Sequence, residues 1–233
     1  MLLLVASILV LFLLNLFLGS VHIPMDSIWN ILWGLDGDES VIWQNIIWKS
    51  RIPQSLTALV AGAGLAVSGL QMQTVFRNPL AGPSVLGISS GASLGVAFVV
   101  LLSGSIGGIA LSRLGFMGEI ALTVAAIVGA LSVMALIVYV SQKVHGNVTL
   151  LIIGVMIGYV ANAVIGVLKF FSVEEDIRAY VIWGLGSFAR VSGNQVTVFI
   201  CIMAVLLPLS FLLIKTLNLL LLGDAYARNL GLN

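Results

Sequence analysis

The chain alternates long apolar runs with short polar breaks. Six runs stand out, at residues 2–18, 55–75, 84–102, 120–140, 150–170 and 196–214. Each approaches the about 20 residues a helix needs to cross a bilayer's hydrocarbon. No Asp, Glu, Lys, Arg or His lies in the interior of any run. Backbone amides in lipid must find partners within their own segment, so the runs predict helices. The expected fold class is all-α, a polytopic transmembrane helix bundle of about six spans. The first run lacks a positive flank and a small-residue cleavage site, and so reads as a span, not a signal peptide.

The breaks are uneven. Residues 19–51 hold Trp29, Trp33, Trp43 and Trp48. Trp29 and Trp33, like Trp43 and Ile47, are four apart and fall on one helix face. This predicts short helices lying in the interface, where indole rings concentrate. The fifth tryptophan, Trp183, follows the fifth run, so all five share one side of the membrane. That side carries Lys49, Arg51, Arg113, Lys169, Arg178 and Arg190, against Arg77, Lys143, Lys215 and Arg228 on the other. The cation count alone does not fix the orientation.

Composition narrows the class. Hydrophobic residues make up 60% and charged residues 8% of the 233, where a soluble domain carries about 25% charged. The lipid bilayer is the expected solvent. A net charge of +1 gives no reason to expect nucleic acid. The single Cys201 sits in an apolar run and forms no internal disulfide. Glu174, Glu175 and Asp176 read as a solvated charge run, and His22 and His145 as isolated loop residues. No catalytic residues, cofactor or metal site are expected.

Small residues recur at helical spacing: Gly91 with Gly95, and Gly154, Gly158, Asn162 and Gly166. Such rows let helix backbones approach closely in lipid. The second row has a further reading, as the lining of a passage, because an amide inside a span needs a partner or water.

Between the second and third runs stands "RNPLAGPSVLG". Pro79 and Pro83 break helical geometry and predict a tight elbow at the membrane surface. Ser84 is a candidate cap for the next helix, Asn78 can satisfy free backbone groups, and Arg77 can snorkel to headgroups. Near the end, Asp224 is a candidate N-cap, residues 225–230 a short helix and Gly231 its stop.

The stretch "RIPQSLTALVAGAGLAVSGLQMQTVFRNPLAGPSVLGISSGASLG" resembles the signature of the FecCD/BtuC-like permeases of type II ABC importers, which take up iron–siderophores, haem and cobalamin. Arg51, Pro53, Ser68, Gly69, Gln73, Arg77, Asn78, Pro79, Leu80, Ala81, Pro83, Leu86, Gly87, Gly91 and Ala92 fit its pattern. "IWGLGSF" and "LNLLLLGDAYARNLGLN" resemble two later motifs of that family.

The resemblance implies one transmembrane permease domain over residues 1–233, with its first terminus cytoplasmic, in the bacterial inner membrane. It implies about four further spans, so the chain is expected to be truncated at its C-terminal side. It places a cytoplasmic gate at Asn78 and Leu80, with Gly146, Asn147 and Val148 as the second gate element. The Gly154, Gly158, Asn162 and Gly166 face would line the translocation pathway. Gly223, Asp224, Ala227, Leu230 and Gly231 would form the helix that couples to an ATPase. Arg51 would dock the binding protein, although Gln54 stands where the family often has a second arginine, a loss that Arg178 or Arg190 would compensate. The implied partners are an ABC ATPase, a periplasmic substrate-binding protein and a second permease copy.

Energy supply gives an independent argument. Ion-coupled carriers usually keep an ionisable group within the membrane. The chain has no Asp, Glu, Lys, Arg or His in the interior of its runs, Lys169 standing one residue from the end of the fifth, and no Gly-Lys of a phosphate-binding loop. Uphill transport would therefore draw on a separate ATPase. The competing expectation is half of a secondary carrier or channel that dimerises to form a pore.

Overall fold

The computed structural model describes residues 1–35, 41–106, 116–144, 146–188, 191 and 193–231. Every regular element among them is helical, as the apolar runs require. His145 and the cations Arg113 and Arg190 lie outside the described residues.

The chain divides into two compact units. The first comprises residues 1–67 and 187–213, the second residues 68–186 and 214–233. In the first unit, α1 (Leu2–Phe17) carries the first run. The amphipathic α2 (Met25–Trp33) follows and closes on Gly34, whose φ of +63° suits a residue without Cβ. Its inner face buries Ile28 and Ile31 against Ile23 and Ile47, while Trp29 and Trp33 face outward with ring centroids 5.8 Å apart.

Trp43 and Trp48 correct one expectation. They do not lie on a separate surface helix. α3 (Val41–Ile46) runs through a π-helical turn (Ile47–Arg51) directly into α4 (Ile52–Phe76). Pro53, at the second position of α4, would press on a carbonyl four residues earlier in an ordinary helix. The wider turn just before it, closed by the Ile52 amide on the Ile47 carbonyl, admits the proline without ending the helix. α9 (Gly193–Ser210), with Pro208 near its end, passes through a 3₁₀ turn, Phe211–Leu213.

The second unit holds the end of α4, α5 (Ile88–Ile106), α6 (Phe116–Ser141), α7 (Asn147–Phe171), α8 (Glu174–Gly184), α10 (Ile214–Leu221) and α11 (Asp224–Asn229). Its core has two clusters. One joins Val96, Ala97, Val100 and Leu101 of α5 to Ile165 and Tyr180, and the other joins Phe76, Ala81 and Leu86 to Val133 and Ile137.

Close approach of α5 and α6 explains the first glycine pair. A Cβ on Gly95 would stand 2.2 Å from the Ala125 carbonyl oxygen, and one on Gly129 2.2 Å from that of Gly91. Lipid supplies no hydrophobic contrast, so this backbone contact is what holds the two helices.

The helical stretches Val41–Phe76, Met117–Ser141, Asn147–Phe171 and Gly193–Leu221 are long and apolar enough to cross a membrane, while Leu2–Phe17 and Ile88–Leu102 are shorter apolar helices. All six expected runs are therefore helices of a polytopic bundle. The third begins at Ile88 instead of residue 84. The amide of Gly91 bonds the carbonyl of Gly87, so Gly87, at φ +73°, takes the cap position expected of Ser84.

The acidic run is also corrected in part. Glu174 and Glu175 are exposed in the first turn of α8, but Asp176 is buried, and its Oδ2 has no hydrogen-bond partner among the described residues.

Candidate functional site

The elbow starts where α4 stops. The Asn78 amide bonds the Gln73 carbonyl and the Arg77 amide the Thr74 carbonyl. This pair of bonds forms the Schellman ending of a helix, which needs a left-handed residue at its centre. Glycine usually fills that place, but here it is Arg77, with φ +47°. Among the described residues no other non-glycine has positive φ. Left-handed backbone costs an ordinary side chain roughly 1 kcal/mol, so a retained arginine points to use of its side chain.

That side chain does not reach toward headgroups as expected. Its Nε and a terminal nitrogen donate to the carbonyl of Leu220, at 3.2 and 2.9 Å. Leu220 lies in the last turn of α10, where carbonyls lack i+4 amide partners and the helix dipole favours a cation.

Residues 77–87 then fold as consecutive turns, closed by Ala81 on Asn78, Val85 on Gly82 and Gly87 on Ser84. The side chain of Asn78 accepts the Leu80 amide at 2.9 Å. Ala81 and Leu86 are buried pins, and Leu80 between them projects outward, 85% exposed.

The segment expected as the second gate element reaches the same place. It was expected as a loop, but only Gly146 precedes the helix, and Asn147 and Val148 are the first residues of α7. Gly146, at φ +110°, is the last residue of the connection before the helix. The side-chain amide of Asn147 donates to the Val75 carbonyl, at 3.1 Å, in the last turn of α4. Val148 is exposed.

Higher on α7, Gly154 and Gly158 are buried. A Cβ on Gly154 would meet Leu86 Cα at 2.8 Å, and one on Gly158 the Ser90 hydroxyl at 3.3 Å. The same two glycines border an open groove of about 300 Å³, whose polar lining comes from Ser84, Ser90, Tyr159 and Asn162. Gly166 lies outside that lining and has open space around it.

The terminal helix forms, with one correction. Asp224 opens α11 instead of capping it. The Ala227 amide bonds the Gly223 carbonyl, so Gly223, at φ +109°, is the cap residue. Ala227 is buried, Leu230 is exposed, and Gly231 at φ +90° marks the stop.

Arg51 is placed unlike a docking residue. It is 5% exposed, and its guanidinium donates to the carbonyls of Leu16, Phe17 and Val21 at the end of α1 and beyond. A guanidinium that donates to three carbonyls under an apolar cover ties the end of α1 to the π-helical turn.

The sequence matches the FecCD transport family over residues 7–233. The chain belongs to that family. It is 35% identical over 229 residues to the hemin transport system permease protein HmuU of Yersinia pestis, covering 97% of this chain and 65% of the relative. The vitamin B12 import system permease protein BtuC of Klebsiella pneumoniae is 36% identical over 189 residues, covering 81% of this chain and 54% of that protein. A Helicobacter pylori protein named "Probable iron chelatin transport system permease protein" is 40% identical over 191 residues, covering 81% and 53%.

A solved structure of a metal-chelate type ABC transporter in an inward-facing conformation superposes with a TM-score of 0.77 at 26% identity, over 97% of this chain and 65% of that one. The chain thus spans about half to two-thirds of the length of these FecCD relatives.

Sequence reasoning found the FecCD elbow and terminal helix but missed what joins them. A signal was present: an arginine occupied a helix-ending position, two residues before a proline, where glycine is the usual choice.

Proposed function

We propose that this chain is the membrane-spanning permease part of an ATP-driven importer. It carries a metal chelate of the iron–siderophore, haem or cobalamin class from periplasm to cytoplasm across the bacterial inner membrane. ATP is hydrolysed on a separate ABC ATPase. A periplasmic binding protein delivers the cargo, and a second permease copy completes the passage. Residues 1–233 act as one permease domain.

The elbow end faces the cytoplasm. Asn78 and Leu80, with Gly146, Asn147 and Val148, form the gate. Gly154, Gly158 and Asn162 border the pathway at the groove, with Gly166 further along the same helix. Gly223, Asp224, Ala227, Leu230 and Gly231 form the ATPase-coupling helix. Docking of the binding protein falls to exposed cations such as Arg178.

One observation carries this reading. The elbow is held from two sides at once, by Asn147 on Val75 and by Arg77 on Leu220. A gate tied to a terminal helix is what an external motor needs. The test is co-purification of the ATPase with the full-length protein. Binding is expected to be lost in Asp224→Ala or Gly223→Val, and intact binding in both would refute the coupling role.

A further inference from the structure

We infer that Arg77 is the positioning residue that transmits movement of the terminal helix to the elbow. The inference rests on the ATP-coupled reading above and adds a specific mechanical link to it.

Residues 77 and 220 lie 143 positions apart, yet the Arg77 side chain joins the elbow to the end of α10. Leu220 sits in the last turn of α10, and its carbonyl already accepts the Gly223 amide at 3.2 Å. Gly223 is the left-handed residue from which α11 departs. The Leu220 carbonyl is therefore the last fixed point before the hinge that sets the direction of α11. The guanidinium of Arg77 grips that carbonyl with two nitrogens.

At its other end the Arg77 side chain is exposed, but its backbone is constrained. Its backbone is the left-handed centre of the α4 ending, fixed by the bonds to Thr74 and Gln73. Asn78 follows it and holds the Leu80 amide with its own side chain. A displacement of the α10 terminus thus passes through a planar two-donor fork into the residue that sets the direction of the elbow. The glycines that end helices at 34 and 231 have no side chain that could do this. Arg77 accepts the steric cost of left-handed backbone in return for a rigid connection.

A purely structural arginine would cap α10 and no more. The experiment separates the two roles. The full-length protein is co-expressed with its ATPase in a Cys201→Ser background, with reporter cysteines introduced singly at the exposed positions Leu80→Cys and Tyr226→Cys. The rate of labelling by a membrane-impermeant maleimide is compared between the nucleotide-free complex and the complex trapped with ATP and vanadate.

With Arg77 present, both reporters are expected to change rate on trapping, by about tenfold or more at Leu80→Cys, the scale of one charge-assisted hydrogen bond. Arg77→Gly relieves the backbone cost while removing the fork. It should keep the Tyr226→Cys response and the ATPase yield but lose the Leu80→Cys response. Arg77→Met keeps the stem's length without a donor and gives the same reading where the glycine variant does not fold. A full Leu80→Cys response in either variant, with only a lowered melting temperature, would overturn the inference. If the ATPase does not bind the protein with Arg77 intact, the functional reading itself falls, and the link falls with it.

Discussion

The side-chain amide of Asn147 donates to the backbone carbonyl of Val75 across 3.1 Å, joining the first turn of α7 to the last turn of α4. Val75 lies in the turn that Arg77 terminates, so this bond ties the start of α7 to the residues from which the elbow departs. A single exposed amide–carbonyl bond contributes about 1 kcal/mol, roughly a fivefold change in an opening equilibrium. Asn147→Ala is expected to raise passive leak of a small solute from proteoliposomes by about that factor, with little change in thermal stability. Unchanged leak would show that the bond does not hold the gate.

Glycine positions give a graded stability prediction. A Cβ at Gly95 meets backbone at 2.2 Å, whereas one at Gly166 meets nothing within 4 Å. Gly95→Ala should therefore force α5 away from α6 and lower stability by about 1–3 kcal/mol, while Gly166→Ala should be neutral or slightly stabilising. Thermal unfolding in detergent, followed for the two variants side by side, checks the contrast.

Arg51 is expected to matter for folding. Arg51→Met leaves the carbonyls of Leu16, Phe17 and Val21 without its donors in an apolar setting. The expected loss is about 2–4 kcal/mol, seen as reduced yield and lower melting temperature in detergent. A stable Arg51→Met that fails only to bind the periplasmic protein would restore the docking role.

Burial on α8 raises the pKa of Tyr180 above its ordinary value of 10.0, and a hydrogen bond with Ser93 opposes this in part. The folded state therefore favours the neutral phenol more than the unfolded state does. Its contribution to stability is complete below pH 10.0 and is lost as the pH climbs through the raised value. Tyr180→Phe should remove that component of alkaline destabilisation, which denaturant titrations on either side of pH 10.0 would reveal.

Much of this was legible from pattern alone. Uncharged apolar runs specify helices because lipid allows nothing else, and the two prolines of the elbow mark its place for the same steric reason that breaks any helix. What stayed hidden depends on contacts distant in sequence. Nothing near Arg77 reveals that a carbonyl 143 residues later lies within its reach.

Local rules also competed. Ser84 and Asp224 are good caps by type, yet Gly87 and Gly223 took those places because the chain needs left-handed backbone there. The π-helical turn before Pro53 carried α3 into α4 where Trp43 and Ile47 suggested a separate interfacial helix. Asp176 looked solvated because charge runs usually are, but packing of α8 buried it.

The most direct test of the account is uptake into proteoliposomes holding the full-length protein with its ATPase and binding protein. Haemin, a ferric hydroxamate siderophore and cyanocobalamin are offered in parallel, with ATP enclosed, with ATP and vanadate, or with only a proton gradient. The account predicts that at least one of the three accumulates with ATP alone and stops with vanadate. Accumulation driven by the proton gradient without ATP, or no accumulation of any of the three with ATP, would contradict it.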